Sequence, residues 1–484
     1  MMLLPLTFSS MAIAQNDFQR IFDEFAKEAN QQFDDFKRDA NKQFSDMLRQ
    51  SWEEFQLMTA VERPRKPKPE TLPVAPVDSL PSSVTLPEPV APVVSQPPAA
   101  TMPEQPAEVI PEKYDPLSYP DGSLTDFSFS FYNVLASMSI PKSIVNYHMR
   151  DYRETEVANF WDVLAKDEHK TVLWQIDRNV EDMGLSGWSK YMWVKMLSDV
   201  TFGQVRRNER EVFKTFMLNQ MGVDARLGIV NDGLVTMLAI KEQVYAQIFF
   251  QLDGRNYYLD KDIQDADRVL TYTSLFPDPV EPLSVEVTRP LRIEREGKTV
   301  TMERPSNVFS DPMTLKININ HCQYFLDFPQ VGVDVYARAA VDPVFAEALL
   351  AGFRPHLEGK TDLEKVSLLM AYMHYDFEYA TDDDQFGYEK PFFVEENFVY
   401  PCNDCEDRSI LFSFLVRNLV GLDVVLLDYP DHIATAVCFK EDVPGDHFTY
   451  DGKRYVICDP TYIGASVGMT MESYLDVEFK VLPL

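Results

Sequence analysis

Cysteine is scarce. The chain has five in 484 residues, an odd number that leaves at least one thiol unpaired and does not suit a disulfide framework for a chain this long. Positive charge is also short: 45 Lys and Arg stand against 76 Asp and Glu, a net charge of −31. Such a field repels nucleic acid and anionic membrane surfaces, so neither is expected as a partner. Beyond the N-terminus no stretch approaches twenty apolar residues, and no membrane span is expected. The acidic runs Asp382-Asp383-Asp384 and "DKDIQDAD" at 260–267 lack EF-hand spacing and read as solvated loops. No metal and no cofactor is expected.

What is present divides the chain. Residues 2–13 form an apolar run of signal-peptide length, followed by Ala12-Ile13-Ala14 as a small-residue cleavage motif. Residues 1–14 are expected to be a signal peptide and the protein to be exported (periplasmic, cell-surface or extracellular). Residues 16–58 carry an eleven-residue repeat, with Phe22, Phe33, Phe44 and Phe55 opening its units. Eleven residues make three turns at about 3.67 per turn, so the spacing predicts one amphipathic helix over 15–60. Its stripe needs a cover: a partner helix, a second copy through self-association over 16–58, or the body of the protein. Residues 64–120 hold sixteen of the 33 prolines and read as an extended spacer, 61–121, without a core.

From residue 122 the pattern is globular. Helical periodicity covers 156–165, 187–200 and 209–221, and strand signals cover 225–231, 234–240, 244–251 and 255–260. A connector at 271–344 looks β-rich and proline-punctuated. Helices at 345–353 and 362–375 follow, then a helix after Cys405 and strands at 423–428, 432–439 and 454–459. The halves 122–270 and 345–484 match each other: Gly222 falls on Gly421, Asp224 on Asp423, and "DGRNYYLD" on "DGKRYVICD". An internal duplication of a helix-then-sheet unit is the simplest account.

The chemistry concentrates in "PCNDCEDRSILFSFLVRNLVGLD", residues 401–423. Cys405 opens an apolar helix, where outward N–H groups and the macrodipole favour a thiolate. Asp404, Glu406 and Asp407 oppose it, so a cation is needed from elsewhere. His432 heads a strand signal 27 residues downstream, and Asp459 closes another 27 residues further on. Thiol, imidazole and carboxylate form a workable nucleophile, base and orienter. A redox pair with Cys402 is disfavoured by the acidic flanks. A zinc knuckle lacks a second ligand pair, since Cys438 and Cys458 have the wrong spacing. A Cys402–Cys405 disulfide stays open. His374 and His447 read as structural or exposed.

"DCED" at 404–407, "DHIATAV" at 431–437 and "CDPTY" at 458–462 resemble, in order and context, the motifs of the transglutaminase-like superfamily of cysteine enzymes. Asn403 stands where that family commonly has glycine. The resemblance implies a papain-like α+β fold over about 345–484, with Cys405, His432 and Asp459 as a triad. It makes 122–270 a degenerate second copy, with Arg206 at the place of Cys405, Gly233 near that of His432, and Asp260 opposite Asp459. The expectation is attack on an amide bond of a protein or peptide through a thioacyl intermediate. Water as acceptor gives a peptidase or amidase, the favoured reading; a lysine amine gives a transglutaminase. Residues Phe386, Tyr388, Phe392 and Phe393 are expected to shape the acceptor side. A reading of another class is a non-catalytic scaffold working through its N-terminal helix and spacer.

Overall fold

A computed structural model describes residues 31–32, 34–61, 72–76, 122–263, 265–293 and 299–484. The expected signal peptide, the first part of the repeat and most of the spacer lie outside the described residues. The fold is mixed α+β, and its two large sheets are antiparallel throughout.

The first sheet orders its strands Glu53–Gln56, Arg268–Thr271, Ala225–Val230, Gly233–Ala239, Arg255–Leu259 and Phe249–Leu252. The second runs Lys480–Pro483, Asp423–Asp428, Ile433–Cys438, Lys453–Cys458 and His447–Tyr450. Without its outermost strand, the first sheet has the order of the second, strand for strand. The helix Arg207–Gln220 packs on the first sheet as Cys405–Leu419 packs on the second. Each sheet also carries the same two-residue hairpin turn, Asp253-Gly254 and Asp451-Gly452. All four of these residues have φ between +47° and +74°, the left-handed pair that an Asp-Gly turn supplies. The matched sequence signals therefore correspond to two units of one topology. They share an apolar core that runs from Phe44 to Leu482, without a seam at the expected boundaries.

Two expectations need correction. The repeat is helical over 31–32 and 34–48 among its described residues, and Glu53–Gln56 is a strand paired with Arg268–Thr271. An open sheet edge outweighs helical periodicity there, because tertiary pairing overrides intrinsic propensity. The described stripe is partly covered by the body of the protein. Ala40, Phe44 and Leu48 are buried, and Phe44 meets Trp161, Tyr272 and Phe276 with ring centroids 4.8–5.4 Å apart. Phe36, on the same stripe, is 51% exposed. The connector 271–344 is only partly β. Leu283, Val285, Val287, Leu291 and Ile293 are buried in alternation, as the pattern predicts, but no strand forms there. Pro282 and Pro290 remove ladder donors, and the extended chain is held by isolated bridges such as Ile240 with Leu283 and by single hydrogen bonds such as that from the Ala340 N–H to the Val287 carbonyl. Strands form at Thr299–Arg304 and Met313–Asn318, and the helices Ile319–Leu326 and Val333–Arg338 follow. Among the described residues no helix is long and apolar enough to cross a membrane.

Candidate active site

Cys405 is the first residue of the helix Cys405–Leu419, with Asp404 as its N-cap. The lead-in is fixed from several sides. Cys402–Asn403 pairs in parallel with Glu378–Tyr379. The Asp404 N–H donates to Asp407 at 3.3 Å, and the Phe392 N–H donates to the other Asp407 oxygen at 2.8 Å. Asn403 donates to Asn397 and accepts from Arg408 Nε, a bridging role that glycine has no side chain to fill. Ser409 Oγ donates to the carbonyl of Ile433 at 3.0 Å, tying the helix to the strand that follows His432.

His432 Nε2 lies 2.8 Å from Asp459 Oδ2 and 3.3 Å from Thr461 Oγ1. Thr461 donates its N–H and hydroxyl to the other Asp459 oxygen, at 2.9 and 2.6 Å. Burial raises the Asp459 carboxyl, but the adjacent imidazole and these hydrogen bonds outweigh it and hold the group below the usual carboxylate value. The ring of Tyr474 stacks on His432 with centroids 5.2 Å apart. Cys405 and His432 line one small cavity with Tyr379, Asp431, Thr461, Met471, Tyr474, Leu72 and Pro73. Nε2 serves Asp459, and the imidazole shares the cavity wall with the thiol. All three residues expected from the sequence thus meet at this site.

All five cysteines are free thiols, and Cys402 is half-buried in its short strand, apart from the cavity. Burial pushes the thiols of Cys402 and Cys458 up and raises that of Cys322 to about 12. Those three are poorly suited to ionise. The Cys405 thiol donates to Glu406 at 3.1 Å, so the acidic flank is in direct contact with the sulfur. The groups Asp404, Cys405, Glu406; Asp382, Glu389, Glu406; and Asp382, Asp404, Asp407 each bring potential ligand atoms within 4.8 Å of one another, all buried. Their carboxylate oxygens are hard donors of the kind that calcium or magnesium takes.

Other positions depart from the sequence reading. Phe392 and Phe393 are core residues; Phe393 stacks on Phe325 with centroids 4.0 Å apart. Phe386 packs near Lys390, and Tyr388 lines a different cavity. None of these four borders Cys405. A stretch dense in aromatics reads equally well as a cleft wall or as core, and here packing took the rings. Arg408 escapes sequence reasoning, although a cation in the first turn of an apolar helix, beside Asp404 and Asp407, is its signal. It is fully buried and donates to Asn403 Oδ1 and to the carbonyls of Met373 and Phe377. His374 is buried, hydrogen-bonded to the Asp459 carbonyl, and lowered to about 4 by burial. It is a neutral brace behind the carboxylate.

The first unit has no such set. Arg206 caps its helix and Gly233 lies against Arg207. Asp260 pairs with Lys195 at 2.5 Å. The cavity of about 410 Å³ beside that pair has no cysteine, serine or histidine in its lining. No family model matches the chain, and no curated protein or solved structure matches it.

Proposed function

We propose that the protein is an exported cysteine hydrolase with two transglutaminase-like units, acting on amide bonds of peptides or proteins through Cys405, His432 and Asp459. One observation carries this reading: a thiol on the first turn of a helix lines the same cavity as an imidazole whose far nitrogen is bonded to a buried carboxylate. The thiol proton passes to His432 Nδ1 and the sulfur attacks the amide carbonyl. The first-turn N–H of Cys405 points outward from the helix end and serves the oxyanion. The imidazolium, steadied by Asp459, returns its proton to the leaving amine. A water, deprotonated by His432, then opens the thioester. Water is favoured as acceptor because it is always available, whereas a lysine amine has to be brought to the site.

The test uses the full-length chain with an unfolded, fluorescently labelled protein and a dansylated primary amine. Release of free peptide that disappears in Cys405→Ala supports a hydrolase. Amine incorporation would make the protein a transglutaminase. Neither product, with Cys405 alkylated no faster than Cys438, would leave the scaffold reading.

A further inference from the structure

The spacer segment Leu72-Pro73-Val74-Ala75-Pro76 crosses the mouth of the Cys405 cavity. Leu72 and Pro73 line that cavity beside the thiol and His432. The Ile463 N–H donates to the Pro73 carbonyl at 2.9 Å, and the Ala75 N–H donates to the Ile463 carbonyl at 2.8 Å. Val74 and Ile463 thereby form a parallel bridge. Ala75 is buried among Tyr462, Ala465 and Met471, whereas Val74 points to solvent. With the segment in place the cavity is about 20 Å³, room for about one water. Cys405 is only 4% exposed.

This is how an extended peptide docks by strand addition: main-chain hydrogen bonds on one edge, alternate side chains in and out, a pocket fitting one of them. We propose that the cleft beside Ile463 is a polypeptide-binding site for an extended strand with a small residue at the place of Ala75, and that Leu72–Pro76 is its tethered resting occupant. The proposal rests on the reading of Cys405 as nucleophile only for what the strap would block, not for the strap itself. The composition suits a tethered ligand. Two prolines in five residues hold the chain extended before it docks, which lowers the ordering cost. A covalent tether supplies an effective concentration in the millimolar range, so a weak strand suffices to close the site, and a tighter substrate displaces it.

Two full-length variants test this by mass-spectrometric rates of Cys405 carbamidomethylation: Ala75→Pro, which deletes the donor to Ile463, and replacement of residues 72–76 by Gly-Ser-Gly-Ser-Gly. A strap closed about nine-tenths of the time leaves a tenth of the molecules reactive, so its loss raises labelling about tenfold. Acetyl-Leu-Pro-Val-Ala-Pro-amide at millimolar concentration then returns the Ala75→Pro rate toward that of the parent chain, and the same peptide with Trp for Ala does not. Parent-like rates in both variants, or a peptide without effect, overturn the proposal. His432→Ala in the strap-replaced background separates the two readings. If it leaves labelling unchanged, Cys405 is not an activated nucleophile, while an effect of the strap would stand.

Discussion

Replacing Asp459 by Asn tests the site at its buried carboxylate. The two side chains have the same shape, but the carboxylate accepts from three donors: His432 Nε2, the Thr461 N–H and the Thr461 hydroxyl. Asn has one acceptor oxygen. With that oxygen facing Thr461, its NH₂ faces His432 and forces Nε2 to accept. The imidazole proton then sits on Nδ1, where the thiol needs a lone pair. Charge support for the imidazolium is lost as well. Loss of the orienting carboxylate in such triads lowers kcat by about 10⁴-fold, or about 5 kcal/mol of barrier. With the amide turned the other way, two donors face each other at Thr461, costing about 1–3 kcal/mol of stability. The assay is peptide release together with iodoacetamide labelling of Cys405 from pH 4 to 9, with circular dichroism to establish folding. Labelling of Asp459→Asn should collapse in the acidic range and recover only where a free thiol ionises. A second readout follows from linkage. The Asp459 carboxyl is held low, so its stabilisation is present above the unfolded carboxylate value and is lost as pH falls through the lower folded value. The Asn variant should lack that acid-sensitive step. A folded Asp459→Asn protein with the parent's acid-range labelling profile would refute the assignment of Asp459 as orienter.

Glu395, buried and raised to about 7 by that burial, has the opposite sign. Its neutral form is favoured in the fold, so stability is lost as pH rises from about 4.5 through 7, by a few kcal/mol at most. Glu395→Gln should flatten the melting temperature between pH 5 and 8 while its amide oxygen still accepts from the Asp342 N–H; an unchanged slope would show that Glu395 does not titrate there. Phe44→Ala should cost about 3–5 kcal/mol in denaturant titration, because the ring is fully buried among aromatics. Sedimentation should show no change in mass, whereas dissociation of an oligomer would mean that this face meets a second copy. Arg408→Lys should cost about 2–4 kcal/mol, because an ammonium cannot span the three acceptors of the guanidinium fork; parent-like unfolding would show that those bonds are replaceable.

The parts of the site that could be read from sequence are those with a local physical cause. Cys405 was legible because a helix start is written in its neighbours: Asp404 as cap, Ile410, Leu411, Phe414 and Leu415 as the buried face, and Gly421 past the end at φ +72°. His432 and Asp459 were legible because each flanks a short strand signal, Ile433–Cys438 and Lys453–Cys458 in the fold. The strap was not. Its five residues are indistinguishable in composition from the rest of the spacer, and only Ile463, nearly four hundred residues away, makes them a strand. Phe392 and Phe393 failed for a related reason, since an aromatic ring carries no mark of whether it will line a cleft or fill a core. The change from helix to strand between residues 48 and 53 depended on the edge at Arg268–Thr271, which local periodicity cannot register.

The two sheets also show how little of this chemistry belongs to the fold. Strand order, hairpin turn and packed helix are common to both units. What differs is a few side chains at matching positions. Where the second unit has a thiol, the first has Arg206, whose guanidinium donates to the carbonyls of Val145 and Tyr147. Where the second has imidazole, Gly233 leaves room that the Arg207 side chain fills: a Cβ there would lie 3.2 Å from its Cζ. The carboxylate persists as Asp260, but its partner is Lys195. A lysine ion pair satisfies the charge of a buried carboxylate as fully as an imidazole does, so stability alone does not require the histidine. Installing a thiol and an imidazole in the first unit by Arg206→Cys with Gly233→His should therefore not produce an activated thiol: Asp260 stays committed to Lys195, and the new ring meets Arg207. Labelling of the introduced thiol at the slow rate of an unactivated cysteine is the expected result. Fast acid-range labelling there would show that position in this sheet topology suffices, without the support that Thr461 and His374 give Asp459 in the second unit.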